Sequence, residues 1–507
     1  MIAGDVLGER ARLTPAKTAL VTIPGEQRFT YRELDQRAIR CAQVWGSLGI
    51  GRGERVGILS HNRVEYVDAF FAAGKTGTVL VPLSTRLTAR ELAVIAADCG
   101  MRALMYAGSC AQTAEELRGA GIEHWIALDE RGRRGDLDFA SRAAAQEPSA
   151  FRPERCDPED TYCLLYTSGT TGAPKGVVLP HRMIAFNGYN TAACWGLREN
   201  DVAPVFTPMY HAGGLSVFLV PIFTAGGTIV LHETFDASEV WRAIAAERAT
   251  VVFGVPTIFK MLMDAPEFAT TDLGSIRWCI SGGAPLPAYI AERYRQRGIV
   301  FKQGYGLTEA GVNCFAMTED DAACKAGSIG KPMMYTEARL VDGDGNDVPA
   351  GETGELLLRG PHVCKGYWNN PQATAAALDA GGWFHTGDLA RSDDEGYFYI
   401  AGRLKDMIIS GGVNIYPAEI ERELVLHPAI EDAAIVGVPD EKWGEVGVAF
   451  LVLRPGHDLT AGDVLAYLAP RLAKLKLPKD VVFLDALPRT SYGKLLKSEL
   501  RDRYRRP

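Results

Sequence analysis

The stretch Tyr166-Thr167-Ser168-Gly169-Thr170-Thr171-Gly172-Ala173-Pro174-Lys175-Gly176 concentrates hydroxyls, glycines and one lysine directly after the apolar run Tyr162 to Leu165. Leaving a strand, those residue types make a phosphate cradle: glycines let backbone N–H groups approach, hydroxyls donate, and lysine supplies charge. The spacing differs from the GxxxxGK[ST] phosphate loop, because Ala173 and Pro174 stand between the second glycine and the lysine; P-loop ATPase and kinase readings lose support. The plain alternative, a solvated Ser/Thr/Gly loop, is disfavoured by the length of the run and its Pro-Lys-Gly ending.

Further segments follow in order: Gln303-Gly304-Tyr305-Gly306-Leu307-Thr308-Glu309, Trp383-Phe384-His385-Thr386-Gly387-Asp388, Gly402-Arg403-Leu404-Lys405-Asp406, Gly411-Gly412-Val413-Asn414-Ile415-Tyr416-Pro417, and Pro488-Arg489-Thr490-Ser491-Tyr492-Gly493-Lys494. Singly, each has an ordinary explanation: Asp after Gly is usually a turn residue, a lone Lys a solvated stem, and Tyr305 a core residue. Jointly, over nearly the whole chain, they resemble the adenylate-forming superfamily of acyl-CoA synthetases, adenylation domains and beetle luciferases, in its fatty-acid or aryl-acid CoA ligase branch.

The resemblance implies that ATP activates a fatty (medium- or long-chain) or aromatic carboxylic acid as acyl-AMP, after which the acyl group passes to coenzyme A. A carboxylate must attack the α-phosphorus as pyrophosphate leaves, so positive charge has to gather where two anions meet. By this resemblance Lys494 bridges carboxylate and α-phosphate, Glu309 is the Mg²⁺ ligand and Thr308 bonds the α-phosphate. Thr167, Ser168, Gly169, Thr170, Thr171, Gly172 and Lys175 hold the phosphates. Asp388 and Arg403 take the ribose, and Tyr305 with Gly306 meets adenine beside Gly282, Gly283 and Ala284. Lys405 and Asp406 are the implied hinge, about which a C-terminal domain swings to withdraw Lys494 and bring Gly411, Gly412 and Val413 to a thiol tunnel. Trp443 is expected against pantetheine and Arg86 against the nucleotide phosphate of CoA. His211 matches the gate of the acyl site, with Ala212, Gly213 and Phe253 as pocket walls; the small residues at 212 to 214 favour an extended apolar or aryl acid over acetate.

Two alternatives stand beside this reading. An adenylating enzyme could load a carrier-protein pantetheine instead of CoA, but amino-acid-loading domains usually carry an aspartate near Phe206 to Gly214, where none is present, and fatty acyl-AMP ligases commonly carry an insertion after the hinge, whereas Met407 to Glu421 has no extra segment. From a different class, an inactive nucleotide- or acyl-binding homologue is opposed by Lys494, Glu309, Asp388 and Arg403 all being in place.

These residues have to be positioned by α/β layers. Apolar runs alternate with helical stretches at Arg55 to Leu59 and Glu65 to Ala73, Thr250 to Val255 and Thr257 to Asp264, and Ile276 to Ser281 and Pro287 to Arg297, the pattern of largely parallel sheets. After about residue 335, short alternating runs with Gly, Asp and Asn turns predict a β-rich antiparallel subdomain. From Met407 a compact α+β module is expected. The resulting division is an N-terminal adenylation domain over 1–402, a hinge over 403–406 and a small mobile C-terminal domain over 407–507.

With 507 residues, 47% of them hydrophobic and 23% charged, the chain has the composition of a globular protein of several folding units. The net charge of -8 offers no general attraction to nucleic acid. No apolar core for a signal peptide stands near the N-terminus, the 10 cysteines contain no CxxC pair, and the expected setting is a reducing cytoplasm. The uncharged stretch Ala212 to Leu231 could suggest a membrane span, but Pro221 and its glycines predict a buried helix, a glycine turn and a strand, without stable membrane insertion. No zinc spacing or dinucleotide fingerprint is present, so Mg²⁺ with ATP is the only metal implied. The expected partners are the small acid, ATP and CoA; a homodimer is compatible with the sequence.

Overall fold

The alternation of apolar runs and helices builds a seven-stranded sheet in the computed structural model, which describes residues 5–130, 132–133, 135–168, 174–411, 413–489 and 495–505. Its strands lie in the order Leu137–Asp138, His124–Ala127, Ala103–Tyr106, Arg55–Leu59, Val79–Leu83, Thr161–Ser168, Pro174–Pro180. Neighbours are parallel except for the last two, which form an antiparallel hairpin with Thr167 opposite Lys175. A second sheet sets Val202–Val205, Thr228–His232 and Thr18–Ile23 in parallel, with Arg28–Thr30 antiparallel at its edge.

One core joins these two sheets through helix Val64–Thr76 and the apolar helical stretch after His211. Helix Val64–Thr76 is buried almost all round, so its charges must be paired. Arg37 holds Asp68 at 2.7 Å, and Lys75 reaches Asp5 at 2.9 Å and also Asp35. The stretch suggestive of a membrane span resolves into helix Ala212–Gly214, a π-helical turn Leu215–Leu219, helix Val220–Ala225, a left-handed Gly226 (φ 89°) and strand Thr228–His232. Among the described residues no helix is long and apolar enough to cross a membrane.

A third, parallel sheet of Val251–Gly254, Trp278–Ser281 and Val300–Gln303 has its own core against the helices Ala237–Glu247, Pro256–Asp264 and Ala288–Arg295. The antiparallel subdomain follows as Glu337–Val341, Thr353–Arg359, Phe384–Ser392 and Phe398–Arg403. A single 3-10 turn, Leu404–Asp406, then leads into the last unit, where strands Ile408–Ser410, Val413–Ile415, Ile430–Asp440, Gly444–Leu453 and Asp480–Phe483 pack with helices Pro417–Val425 and Ala461–Leu468. This unit meets the larger one at its rim: the Arg454 guanidinium lies 5.2 Å from the centre of the Tyr289 ring, and Lys260 stands 3.8 Å from Glu431.

Lys302, on the strand leading to Tyr305, is only 6% exposed, with its ammonium 4.8 Å from the centre of the Trp278 ring. Burial pushes its pKa down to about 8, against the pull of Glu319. In the unfolded chain the ordinary value near 10.5 returns, so between these two values the unfolded state holds more protons and stability rises with pH. At pH 7 the folded chain therefore carries an unfavourable buried charge. Replacing it in Lys302→Met is expected to raise the melting temperature at pH 7, by a stabilisation of at most roughly 3 kcal/mol. Calorimetry across pH 7 to 10.5 should find that advantage shrinking as the wild-type ammonium deprotonates.

Candidate active site

Parallel strands deliver their C-terminal ends to one edge, where loops can converge on a ligand. The loop Gly282-Gly283-Ala284 leaves strand Trp278–Ser281 there, and Gly304-Tyr305-Gly306 leaves strand Val300–Gln303. The loops stay tied as they diverge, Gly304 N–H donating to the Ser281 carbonyl (2.7 Å) and Gly282 N–H to Gly254 (3.2 Å). Gly306 is obligatory, since a Cβ there would overlap the Val312 carbonyl.

Tyr305, Asp388 and Arg403 form one cluster. The Tyr305 hydroxyl donates to Asp388 Oδ2 at 2.6 Å, and Arg403 Nε meets Asp388 Oδ1 at 2.8 Å. Strand register explains the second contact, because Asp388 and Arg403 face one another across the pair Phe384–Ser392 and Phe398–Arg403. Asp388 is buried, whereas Arg403 stands at the rim with 40% of its side chain exposed. Burial, and then the adjacent Asp388 carboxylate, hold the Tyr305 phenol well above its usual pKa, so it remains a donor.

Glu309 sits in the 3-10 turn Thr308–Ala310, with its own carbonyl accepting from Cys364 N–H at 2.8 Å. Its carboxylate accepts from the Tyr367 hydroxyl at 3.0 Å, and the Lys175 ammonium lies 5.4 Å from the centre of the same Tyr367 ring. Sequence reasoning missed Tyr367. It is delivered by an extended segment lying along strand Pro174–Pro180: Lys365 N–H donates to Val178, Val178 N–H to Gly366 and Trp368 N–H to Gly176. The only signal was the aromatic pair Tyr367-Trp368 before the helix cap Asn370, whose side chain accepts from Ala373 N–H. The base of the phosphate hairpin is also fixed, with Tyr166 donating to Asp98 and Trp368 Nε1 and Asn369 Nδ2 donating to the Asp98 carbonyl at 3.2 and 2.9 Å.

On the acyl side, Phe253 lies between two glycines. A Cβ on Gly213 would lie 3.8 Å from its ring and one on Gly282 3.3 Å, so glycine at both positions leaves the ring's surroundings open. Ala212 is buried beside them. His211 packs on Tyr210 with ring centres 4.8 Å apart. Burial lowers its pKa to about 3, with the positive charge of Arg86 adding to the effect. His211 is therefore neutral at physiological pH, and Arg86, an exposed residue, has its charge within reach of the acyl gate.

The last unit gathers another group. Gly411 (φ 57°) donates its N–H to the Trp443 carbonyl at 2.7 Å, and a Cβ on it would stand 2.9 Å from the Trp443 ring. Val413 and Trp443 are both exposed, at 45% and 46%. Lys405 and Asp406 lie in the 3-10 turn joining the two units. Gly169, Thr170, Thr171, Gly172, Gly412, Lys494 and the side chain of Ser168 lie outside the described residues.

Comparison with known proteins gives the family. Residues 7–368 match the family model described as AMP-binding enzyme, and 419–494 that of its C-terminal domain. The chain is 42% identical to the feruloyl-CoA synthase of an Amycolatopsis species over 98% of its own length and 97% of that protein, and 39% identical to the long-chain-fatty-acid–CoA ligase FadD13 of Mycobacterium tuberculosis over 99% and 98%. Its fold superposes on ATP-bound MatB from Rhodopseudomonas palustris with a TM-score of 0.91 at 32% identity, covering 99% of both chains. The chain belongs to the AMP-binding enzyme family, as an ATP-dependent acyl-CoA synthetase.

Tyr367→Phe removes the one hydroxyl that, among the described residues, holds Glu309 Oε1, while keeping the ring under Lys175. Losing a hydrogen bond to a charged group costs about 1.5–3 kcal/mol. Steady-state kinetics should therefore give a kcat/KM for ATP roughly tenfold or more below wild type, with KM for CoA unchanged.

Proposed function

We propose that this chain activates an acid with an extended apolar body, fatty or aromatic, as its acyl-adenylate, and then transfers the acyl group to CoA. The observation that carries the reading is the meeting of Lys175 and Glu309 at Tyr367, together with the cluster that Tyr305, on the loop preceding Glu309, forms with Asp388 and Arg403 of two paired strands. One cation and one carboxylate are thus held beside the base of a glycine-rich hairpin, and a second carboxylate with a phenol offers the acceptors and the ring that suit a ribose and a purine. Arg403 and Tyr305 satisfy Asp388 from the sides, and ribose hydroxyls can donate to the same carboxylate oxygens. The neutral His211 suits an apolar pocket mouth, since a charged imidazolium there would draw the substrate carboxylate away from the phosphorus.

Glu309 fits a Mg²⁺ ion: Mg²⁺ takes one or two protein carboxylates and completes its shell with water and phosphate oxygens, and Glu309 has one oxygen not engaged by Tyr367. When bound, the ion would neutralise charge on the phosphates. Lys175 would do the same for the departing pyrophosphate, and Thr308 would donate to the α-phosphate. Lys494, by the family resemblance, brings the cation that joins substrate carboxylate to α-phosphate. The exposed group Gly411, Val413 and Trp443 supports a second role for the C-terminal unit, offering an apolar surface to a pantetheine arm once Lys494 has withdrawn. Aromatic and fatty acids both remain within the reading, because the relatives reported above include an enzyme named for each, and Phe253 with its flanking glycines suits a flat ring or a chain.

Acid-dependent exchange of pyrophosphate into ATP across a panel of aliphatic and aryl acids, followed by CoA addition, tests this function. Exchange without thioester would favour carrier loading, and absence of exchange with every acid would favour a binder without turnover. In the same assays Lys494→Ala is expected to cut adenylate formation by at least ~100-fold, the scale of losing one charged transition-state contact. Thioester formation from supplied acyl-adenylate should stay near wild type; an equal fall in both steps would overturn the alternating-domain account.

A further inference from the structure

The wall behind Phe253 contains a π-helical turn, Leu215–Leu219, whose Phe218 ring lies 6.2 Å from that of Phe253. Such turns widen the helix, are rare and frequently stand at functional sites. Here a proline removes one of the N–H groups that would continue the helical ladder. The N–H of residue 221 would serve the carbonyl of 217 in an α-turn or of 216 in a π-turn, and residue 221 is Pro221, which has none. Both carbonyls are buried and need donors.

Side chains from elsewhere supply them. Asn187, on helix His181–Cys194, donates through Nδ2 to the Ser216 carbonyl at 2.6 Å, and Asn313 Nδ2 donates to the Val217 carbonyl at 3.2 Å. The same Asn313 amide donates to Thr191 Oγ1 at 3.0 Å. Asn313 is only 3% exposed and lies three residues after the turn Thr308–Ala310. Between them, Gly311 (φ 75°) and Val312 (φ 37°) are both left-handed. For β-branched valine that conformation is strained, and it persists only where the surroundings over-determine it. Asn313, anchored on two elements, is such a constraint.

We propose that Asn313 is a positioning residue: its amide ties the π-turn behind the acyl pocket to the turn carrying Thr308 and Glu309, so that filling the pocket sets where those two side chains meet the nucleotide. The proposal rests on the ligase reading given above and deepens it. An acid pressing on Phe253 and the π-turn moves the Val217 carbonyl, the Asn313 amide follows, and the strained Gly311-Val312 link carries the displacement to Glu309. Acid binding and correct ATP placement are then one event.

The test compares wild type, Asn313→Ala and the double variant Asn313→Ala/Pro221→Ala in pyrophosphate exchange at a series of acid concentrations. In wild type, KM for ATP should fall as acid concentration rises. Asn313→Ala should lower the melting temperature, raise KM for ATP by about tenfold and flatten its dependence on acid. The added Pro221→Ala returns the missing N–H, so the double variant should regain melting temperature while KM for ATP remains high and flat. Where Asn313→Ala does not fold, Asn313→Ser, which keeps one donor for two acceptors, carries the same comparison. Recovery of the ATP kinetics together with the melting temperature would reduce Asn313 to a structural brace and overturn the proposal, as would a wild-type KM for ATP indifferent to acid. Absence of exchange in wild type with any acid would instead overturn the ligase reading on which it rests.

Discussion

A lysine and a glutamate that both have to face a triphosphate would cancel each other if they touched. Lys175 and Glu309 do not pair; Tyr367 stands between them, its ring beneath the ammonium and its hydroxyl on the carboxylate. An aromatic face attracts a cation without neutralising it, and a phenol donates to a carboxylate without bringing a positive charge. Both charges therefore stay available to a ligand. The spacing is set by backbone, because the segment bearing Tyr367 is laid along strand Pro174–Pro180 and the Glu309 carbonyl is held by Cys364 N–H. Arg403 and Tyr305 do a related task at Asp388, flanking one buried carboxylate from opposite sides.

Much of this was legible in the sequence because it is local. Glycine-rich loops after apolar runs, the Tyr305 to Glu309 segment and Gly387-Asp388 carry their chemistry in consecutive residues, and the strand and helix pairs at Arg55–Leu59, Val251–Gly254 and Trp278–Ser281 follow from period and apolar content. The change to antiparallel pairing after residue 335 was likewise visible in alternation and turn residues. What stayed hidden depends on contacts between distant segments. Tyr367 is 58 residues from Glu309, Asn313 is 96 from Val217, and Asn187 is 29 from Ser216. A lone Tyr or Asn has no periodicity to betray it. Element ends were also blurred: the Ile430–Asp440 strand extends beyond the apolar run Ala433 to Val438, because ladder hydrogen bonds continue through polar residues.

Pro221 shows how one residue read as punctuation can act at a distance. In the sequence it argued against a membrane span, with the expected helix, Leu215 to Phe223, running across it and the break placed at the glycine turn that follows. In the fold the helix continues past it, and the unserved carbonyls are passed to amides on two other elements. A local breaker thereby becomes a long-range connector, since buried carbonyls must find donors somewhere.

The seam between the two units has a different consequence. Among the described residues its ionic contacts are the Arg454 guanidinium over Tyr289 and the long Lys260–Glu431 pair, whose side chains are 39% and 34% exposed. Exposed ion pairs are worth under about 1 kcal/mol and exposed cation–ring contacts a similar amount. Together these two contacts favour the docked posture only weakly. Ionic strength becomes a dial on that bias, since added salt screens the Lys260–Glu431 attraction while leaving the apolar cores of both units untouched.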